Sequence, residues 1–143
     1  MRPKSLLLIL LIPIIGFSSY NIGKINEILS AIKKEGKILS YFSSDTDFIS
    51  KLSIKKSQDP NSADIIIFPK GNISNKSVIV HSFNGLKTNK NSIGAIYLKK
   101  GRTQIIFVEE RLKKKGLFLS TKYQRYIIKE CYLTELCLFN SSN

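Results

Sequence analysis

Residues that commonly build metal and nucleophile sites are scarce in this chain. Its 143 residues include no tryptophan, one histidine and two cysteines. A zinc site needs three or four His, Cys or carboxylate ligands, and His81 with Cys131 and Cys137 does not supply them. The sequence also lacks a Gly-x-Ser-x-Gly elbow and the glycine patterns that bind nucleotide phosphates. We therefore expect no enzyme activity, no cofactor and no metal.

Two remaining acid–base candidates carry little weight. His81 lies near the end of an apolar stretch, and no partner for it can be named, so a core or rim position is the favoured interpretation. Glu109 and Glu110 are neighbours, and on a helix their side chains diverge by about 100°. Neither feature predicts a catalytic site.

Acidic residues are outnumbered more than two to one. The chain has 23 Lys and Arg against 10 Asp and Glu, a net charge of +13. Residues 1–18 contain Arg2 and Lys4, so residues 19–143 carry 21 basic and 10 acidic side chains, or +11. Such a charge favours polyanions such as nucleic acid, anionic lipid head groups or acidic glycans. The alternative is that the lysines only solvate the surface.

The N-terminus has the pattern of a secretory signal peptide. Arg2 and Lys4 precede the apolar run of residues 6–17, and Gly16-Phe17-Ser18 has the small-x-small pattern of a cleavage site. The run is shorter than the roughly 20 residues that span a bilayer. The sequence thus predicts a signal peptide at 1–18 and one domain at 19–143, exported to the periplasm or the outside. An uncleaved membrane anchor is the alternative.

Export to an oxidising compartment predicts a disulfide between Cys131 and Cys137. Residues six apart on a helix face away from each other. The bond therefore requires a helix to end near Cys131 and the chain to fold back at residues 132–134. Two buried thiols are the alternative.

Apolar periodicity predicts an α/β (or α+β) domain with a mixed sheet of four or five strands and flanking helices. Four helices are predicted, at residues 21–35, 45–53, 109–115 and 121–130. Gly36 is the expected C-cap of the first helix, and Ser120 is the expected N-cap of the last. The predicted strands are 63–68, 77–83, 93–98 and 103–108. Residues 38–42 are a short strand or a helix end, and residues 86–92 are a polar link or a helical turn. The first two long strands are apolar throughout, as in strands covered on both faces. Lys99-Lys100-Gly101-Arg102 predicts a tight hairpin in which Gly101 takes a positive φ.

Two places are candidates for binding. Ligands of α/β sheets collect beyond the carboxyl ends of strands, which here are residues 69–72 and 82–85. Ser82, Asn84 and Gly85 are the ligand-binding candidates there. The second place is the basic hairpin tip with Lys99, Lys100 and Arg102, near residues 113–115 in sequence. Both are also ordinary compositions for turns.

The sequence favours an exported, non-catalytic domain that acts as an accessory or binding module of the cell envelope. Its expected partner is an envelope protein or an anionic envelope surface. We do not expect nucleic acid to be the partner after export. The alternative function is a small solute- or anion-binding protein with its site at the strand ends.

Overall fold

The computed structural model describes residues 19–71, 73 and 75–137. The predicted signal peptide, its anchor alternative and Asn72 lie outside these residues. The helices are α1 (Ile22–Ala31), α2 (Thr46–Ser50), α3 (Phe83–Thr88) and α4 (Glu109–Lys114), with 3-10 helices at Thr121–Tyr126 and Glu130–Leu133. Within the described residues, no helix has the length and apolar character needed to cross a bilayer.

In the part of the chain that the structure describes, nine strands form two sheets. They are β1 (Lys33–Lys34), β2 (Lys37–Ile38), β3 (Tyr41–Phe42), β4 (Ile65–Ile67), β5 (Ser77–Val80), β6 (Ser92–Lys99), β7 (Arg102–Val108), β8 (Leu117–Phe118) and β9 (Ile127–Ile128). The main sheet has six strands in the order β3-β4-β5-β6-β7-β9. Strands β3 to β6 are parallel, β7 is antiparallel to β6, and β9 is parallel to β7. The predicted α/β class with a mixed sheet in one compact domain is confirmed, with β9 as an additional strand.

Apolar side chains pack on both faces of this sheet. Ile25, Ile28 and Leu29 of α1 pack on one face, in a cluster with the inward side chains of β4 to β7. Leu86 of α3 and Leu133 pack on the other face. Strands β4 and β5 are buried throughout, as their unbroken apolar runs predict.

Helix α1 ends four residues earlier than its periodicity predicts. Ile32 is already extended, and Lys33 and Lys34 pair with both β2 and β8 in a second, three-stranded sheet. Glu35 and Gly36 have φ of +50° and +74°. Gly36 is therefore a residue of the β1–β2 turn and not a helix C-cap, so that prediction is wrong.

The predicted helix 121–130 is also wrong. A 3-10 helix ends at Tyr126, and Ile127 and Ile128 then pair with Phe107 and Val108 as β9. Two adjacent β-branched residues beside an open strand edge gain a ladder of hydrogen bonds that a helix would not offer. The predicted strand 77–83 likewise ends at Val80, because Ser82 caps α3, which takes part of the predicted link.

Cys131 and Cys137 form a disulfide, with their Cα atoms 5.1 Å apart. The 3-10 helix ends at Leu133, and Glu135 turns the chain back with φ of +61°. The predicted fold-back after Cys131 is confirmed. The bond closes a loop around Leu133, whose side chain is buried against the sheet.

We expect intact-mass analysis to show no thiol alkylation in the unreduced protein and two alkylated thiols after reduction. Replacing both cysteines by Ser should lower the free energy of unfolding by about 2 kcal/mol, because the closed loop is short. Two alkylated thiols before reduction would contradict this disulfide.

Candidate functional site

The two places that the sequence marks for binding lie at the same edge of the main sheet. Strands β5 and β6 are parallel neighbours, so their carboxyl ends point the same way. The chain leaves β5 through His81 and Ser82 and leaves β6 at the hairpin tip. The sequence alone placed these two segments separately, because it does not show which strands are neighbours.

The first of these segments has a local role in the fold. The Ser82 hydroxyl accepts a hydrogen bond of 2.9 Å from the Gly85 N–H and so caps α3. A Cβ on Gly85 would come within 3.4 Å of the Val80 side chain and 3.0 Å of the Ser82 hydroxyl oxygen. Asn84 is exposed, and its carbonyl accepts a bond from the Thr88 hydroxyl. Ser82 and Gly85 are thus accounted for by the turn from β5 into α3.

The second segment is a projecting two-residue hairpin. Lys100 and Gly101 have φ of +51° and +75°, which is the backbone of a type I′ turn and confirms the predicted hairpin. Ala95 is the β6 residue opposite Val80, at the end of β5. Lys99 follows four residues later, so the tip stands about 13 Å beyond the end of β5.

The ladder between β6 and β7 gives the hairpin one polar, basic face. Lys99 pairs with Arg102, and Tyr97 pairs with Gln104. Directly opposite residues in an antiparallel ladder point to the same side, and residues two apart along a strand do too. Tyr97, Lys99, Arg102 and Gln104 therefore share one surface, here called the hairpin face.

The hairpin face combines three kinds of recognition chemistry. Lys99 and Arg102 are exposed, whereas Tyr97 and Gln104 are half-buried. Burial raises the pKa of the Tyr97 phenol, so its hydroxyl keeps its proton. Arg102 offers a planar fork for carboxylate or phosphate, Gln104 offers an amide, and Tyr97 offers a flat ring with a polar end.

Residues 113–115 are remote from the hairpin tip, although they are near it in sequence. Strand β7 runs from the tip back across the sheet, and α4 begins at its far end. The seven residues of β7 span about 20 Å. The basic charges of α4 consequently do not add to the hairpin face.

A crevice lies on the other side of the hairpin, where Leu98 points. It has a volume of about 420 Å³ and is lined by Tyr20, Phe48 and Leu98 with Asp45, Asp47 and Lys51 at its polar part. The rings of Tyr20 and Phe48 meet edge to face at 5.3 Å. Sequence reasoning missed this crevice, because its aromatic residues come from distant parts of the chain.

Phe68 supports the aromatic side of this crevice from an unusual backbone. Its φ is +53°, a region that bulky residues rarely occupy. Its ring packs 4.7 Å from Phe48, and the ring of His81 meets it edge-on at 6.0 Å. His81 itself is exposed, so it is a rim residue of the sheet and not a core residue.

Within the described residues, no group of three or more His, Cys, Asp or Glu side chains is placed to hold a metal ion. Comparison of the chain with protein-family models, with curated proteins and with solved structures finds no match. The functional argument therefore rests on the geometry of the hairpin face and the crevice.

Proposed function

We propose that the protein is an exported, non-catalytic binding module that holds an anionic polysaccharide of the cell envelope on the hairpin face. The observation that carries this proposal is the ladder register, which sets two cations, a tyrosine ring and an amide on one projecting surface. The net charge of +11 on residues 19–143 attracts polyanions over a distance, and the hairpin face gives them a place to dock.

The shape of the hairpin favours a polymer. A small solute is usually enclosed in a concave site, whereas this tip stands about 13 Å beyond β5 as a ridge. A chain with repeated charges can lie along a ridge and meet several cations in turn. The short, rigid turn limits the entropy that Lys99 and Arg102 lose when they bind.

The composition of the face favours a sugar polymer over a lipid surface. Gln104 can exchange hydrogen bonds with hydroxyl groups, and Tyr97 presents a flat apolar ring against which a sugar ring can pack. The turn residues Lys100 and Gly101 have no large apolar side chain to insert into a bilayer.

The proposal is tested by replacing Lys99, Lys100 and Arg102 together with Ser. The melting temperature should remain nearly unchanged, because exposed charges contribute little to stability. Binding to heparin at low salt should weaken by about ten-fold, and the slope of log affinity against log salt should flatten. Isothermal titration at several salt concentrations measures both quantities.

A matched control has Lys56, Lys87 and Lys114 replaced by Ser. These three lysines are also exposed but are scattered over the surface, so the net charge changes equally without touching the hairpin face. The control should lose much less affinity for heparin. Equal losses in the two variants would show that only net charge matters, and the proposal would fail.

A third variant, Tyr97→Leu, separates the ring from the charges. Leucine preserves apolar packing against the sheet but removes the flat ring and the hydroxyl. Affinity should fall while the salt slope stays unchanged, because no ionic contact is lost.

Binding of a small solute at the strand ends is the second candidate function. It is favoured by the crevice of about 420 Å³, which lies within the usual range of ligand sites. Its lining is Tyr20, Phe48 and Leu98, and not the Ser82, Asn84 and Gly85 that the sequence suggested. A protein-observed NMR screen with small metabolites tests it, and resonance shifts of Tyr20 and Leu98 would favour this function.

A further inference from the structure

The small sheet presents two large apolar side chains to solvent. Ile38 of β2 is 64% exposed and Phe118 of β8 is 63% exposed. Both pair with Lys33 of the central strand β1, so the three side chains form one row across the sheet. Adjacent strands are about 4.8 Å apart, which separates Ile38 from Phe118 by about 10 Å with a lysine between them.

Lysines surround Ile38. It lines one hollow of about 400 Å³ with Lys33 and Lys55, and a second of about 350 Å³ with Lys34, Lys37 and Lys55. Two carboxylates, Glu35 and Asp64, also line the second hollow. Asp64 accepts hydrogen bonds from the Ser40 backbone N–H and hydroxyl at 2.8 and 3.0 Å, so part of its hydrogen-bonding capacity is used inside the fold.

We propose that this surface docks the protein on an anionic lipid bilayer. The docking surface consists of Ile38, Lys33 and Phe118 in one row, with Lys55 beside Ile38. Lys34 and Lys37 are paired with each other in the next row and point to the opposite face of the small sheet. Lysines close to an anionic bilayer are attracted to its head groups, and exposed large apolar side chains enter the boundary of the acyl chains. Two insertion points flanked by cations match both demands of that boundary.

Charge complementarity and spacing favour a bilayer as the occupant over a folded protein. A stable protein interface has a contiguous buried core that is depleted in charged residues. Here the two apolar side chains are separated by Lys33, and Lys55 lies beside Ile38. A bilayer accepts this arrangement, because long lysine side chains extend to the head groups while their neighbours insert.

The docking surface lies at the edge of the main sheet opposite the hairpin tip. The small sheet adjoins Asp64, which directly precedes β4, whereas the tip follows β6 at the other end of the sheet. The eight residues of β6 alone span about 23 Å. In a protein docked through the small sheet, the hairpin tip therefore lies at the other end of the main sheet from the docking surface.

A single tryptophan gives a local reporter, because the chain contains none. The Phe118→Trp variant of the full chain is mixed with phosphatidylcholine vesicles with and without phosphatidylglycerol. Vesicles with phosphatidylglycerol should shift its emission to the blue, and brominated lipids should quench it. Tyr132→Trp is the matched control, since Tyr132 is 58% exposed but lies outside the docking surface, and its emission should not change.

The Ile38→Ser/Phe118→Ser variant should lower the vesicle partition coefficient by at least about ten-fold, because two apolar side chains no longer leave water. Circular dichroism checks that the variant folds. The variant with Lys99, Lys100 and Arg102 replaced by Ser, when combined with Phe118→Trp, should keep the blue shift of emission. This proposal and the polysaccharide proposal can therefore fail separately.

Three results of the fluorescence experiment would contradict docking on an anionic bilayer. Unchanged emission of Phe118→Trp with anionic vesicles would overturn the proposal. Equal shifts of both reporters would also overturn it, because attachment would then involve another part of the chain. An equally large blue shift with vesicles of phosphatidylcholine alone would show that the lysines do not contribute, and it would overturn docking on an anionic bilayer.

Discussion

Replacing Arg111 by Met is expected to lower the free energy of unfolding by about 1–3 kcal/mol, the usual cost of leaving buried hydrogen-bond acceptors without their donor. The Glu130 carboxylate is 37% exposed, so water can replace part of its lost contact. The Arg111 side chain is 8% exposed. Its Nε and Nη2 donate to the Glu130 carboxylate at 2.8 and 2.7 Å. Its Nη1 donates to the carbonyls of Leu86 at 2.8 Å and Ser92 at 2.9 Å. Methionine fills similar space but leaves these acceptors without their donor.

The Arg111 network joins segments that are far apart along the chain. It connects α4 to Leu86 of α3, to Ser92 at the start of β6, and to Glu130 in the 3-10 helix that carries Cys131. Its loss should therefore loosen the disulfide loop as well as α4. Urea denaturation followed by circular dichroism measures the change.

Lys113→Met is the matched control on the same helix. Lys113 pairs with Glu109 at 3.0 Å, but its side chain is 73% exposed. An exposed pair of this kind contributes about 0.5 kcal/mol or less. A loss below 1 kcal/mol for Arg111→Met would contradict the proposed role of the network.

Acid unfolding provides a second readout of the same contact. The hydrogen bonds and charge of Arg111 lower the pKa of Glu130 below its ordinary value. Glu130 therefore stabilises the fold above its unfolded pKa of about 4.3 and stops doing so as the pH falls through its lower folded pKa. Arg111→Met should remove this contribution, so the stability difference between the two proteins should shrink in acid.

Replacing Gly94 by Ala is expected to cost about 3 kcal/mol, at the upper end of the overpacking range. A Cβ at Gly94 would lie 2.5 Å from the Ile106 carbonyl oxygen and 2.6 Å from Cδ1 of Phe107. Both atoms belong to β7, whose pairing with β6 holds the centre of the sheet. The backbone oxygen cannot move without separating the two strands.

Gly23→Ala is the matched control for this substitution. Gly23 lies in α1, and a Cβ there would meet only Asn21 Oδ1, at 3.7 Å. Alanine in a helix should stabilise the protein by about 0.5–1 kcal/mol. Thermal and urea unfolding of both variants give the comparison. A neutral Gly94→Ala would show that the β6–β7 contact is looser than the structure indicates.

The importance of Gly94 could not be predicted from the sequence. In the sequence, Gly94 is one of several small or apolar residues of β6, and nothing distinguishes it from Ala95. Only the close approach of Phe107 from β7 shows why a side chain is excluded there. The long strands and the hairpin could be predicted, because apolar runs and a Lys-Gly turn are local signals.

Long-range pairing explains the features that the sequence concealed. Strand β1 consists of only two residues, both lysines. It forms because Lys33 pairs with Ile38 on one side and with Phe118, far along the chain, on the other. The docking surface therefore has no local pattern. The charged tip of the hairpin could be predicted from the sequence. That Tyr97 and Gln104 lie on the same face as Lys99 and Arg102 follows only from the ladder register.

Backbone amide NMR of the protein titrated with a short sulfated oligosaccharide tests the central claim most directly. We expect the largest shift changes at Tyr97, Lys99, Arg102 and Gln104, with saturation and with loss at high salt. Changes centred on the lysines of the small sheet, or spread evenly over the basic surface, would contradict the claim that the hairpin face is the binding site.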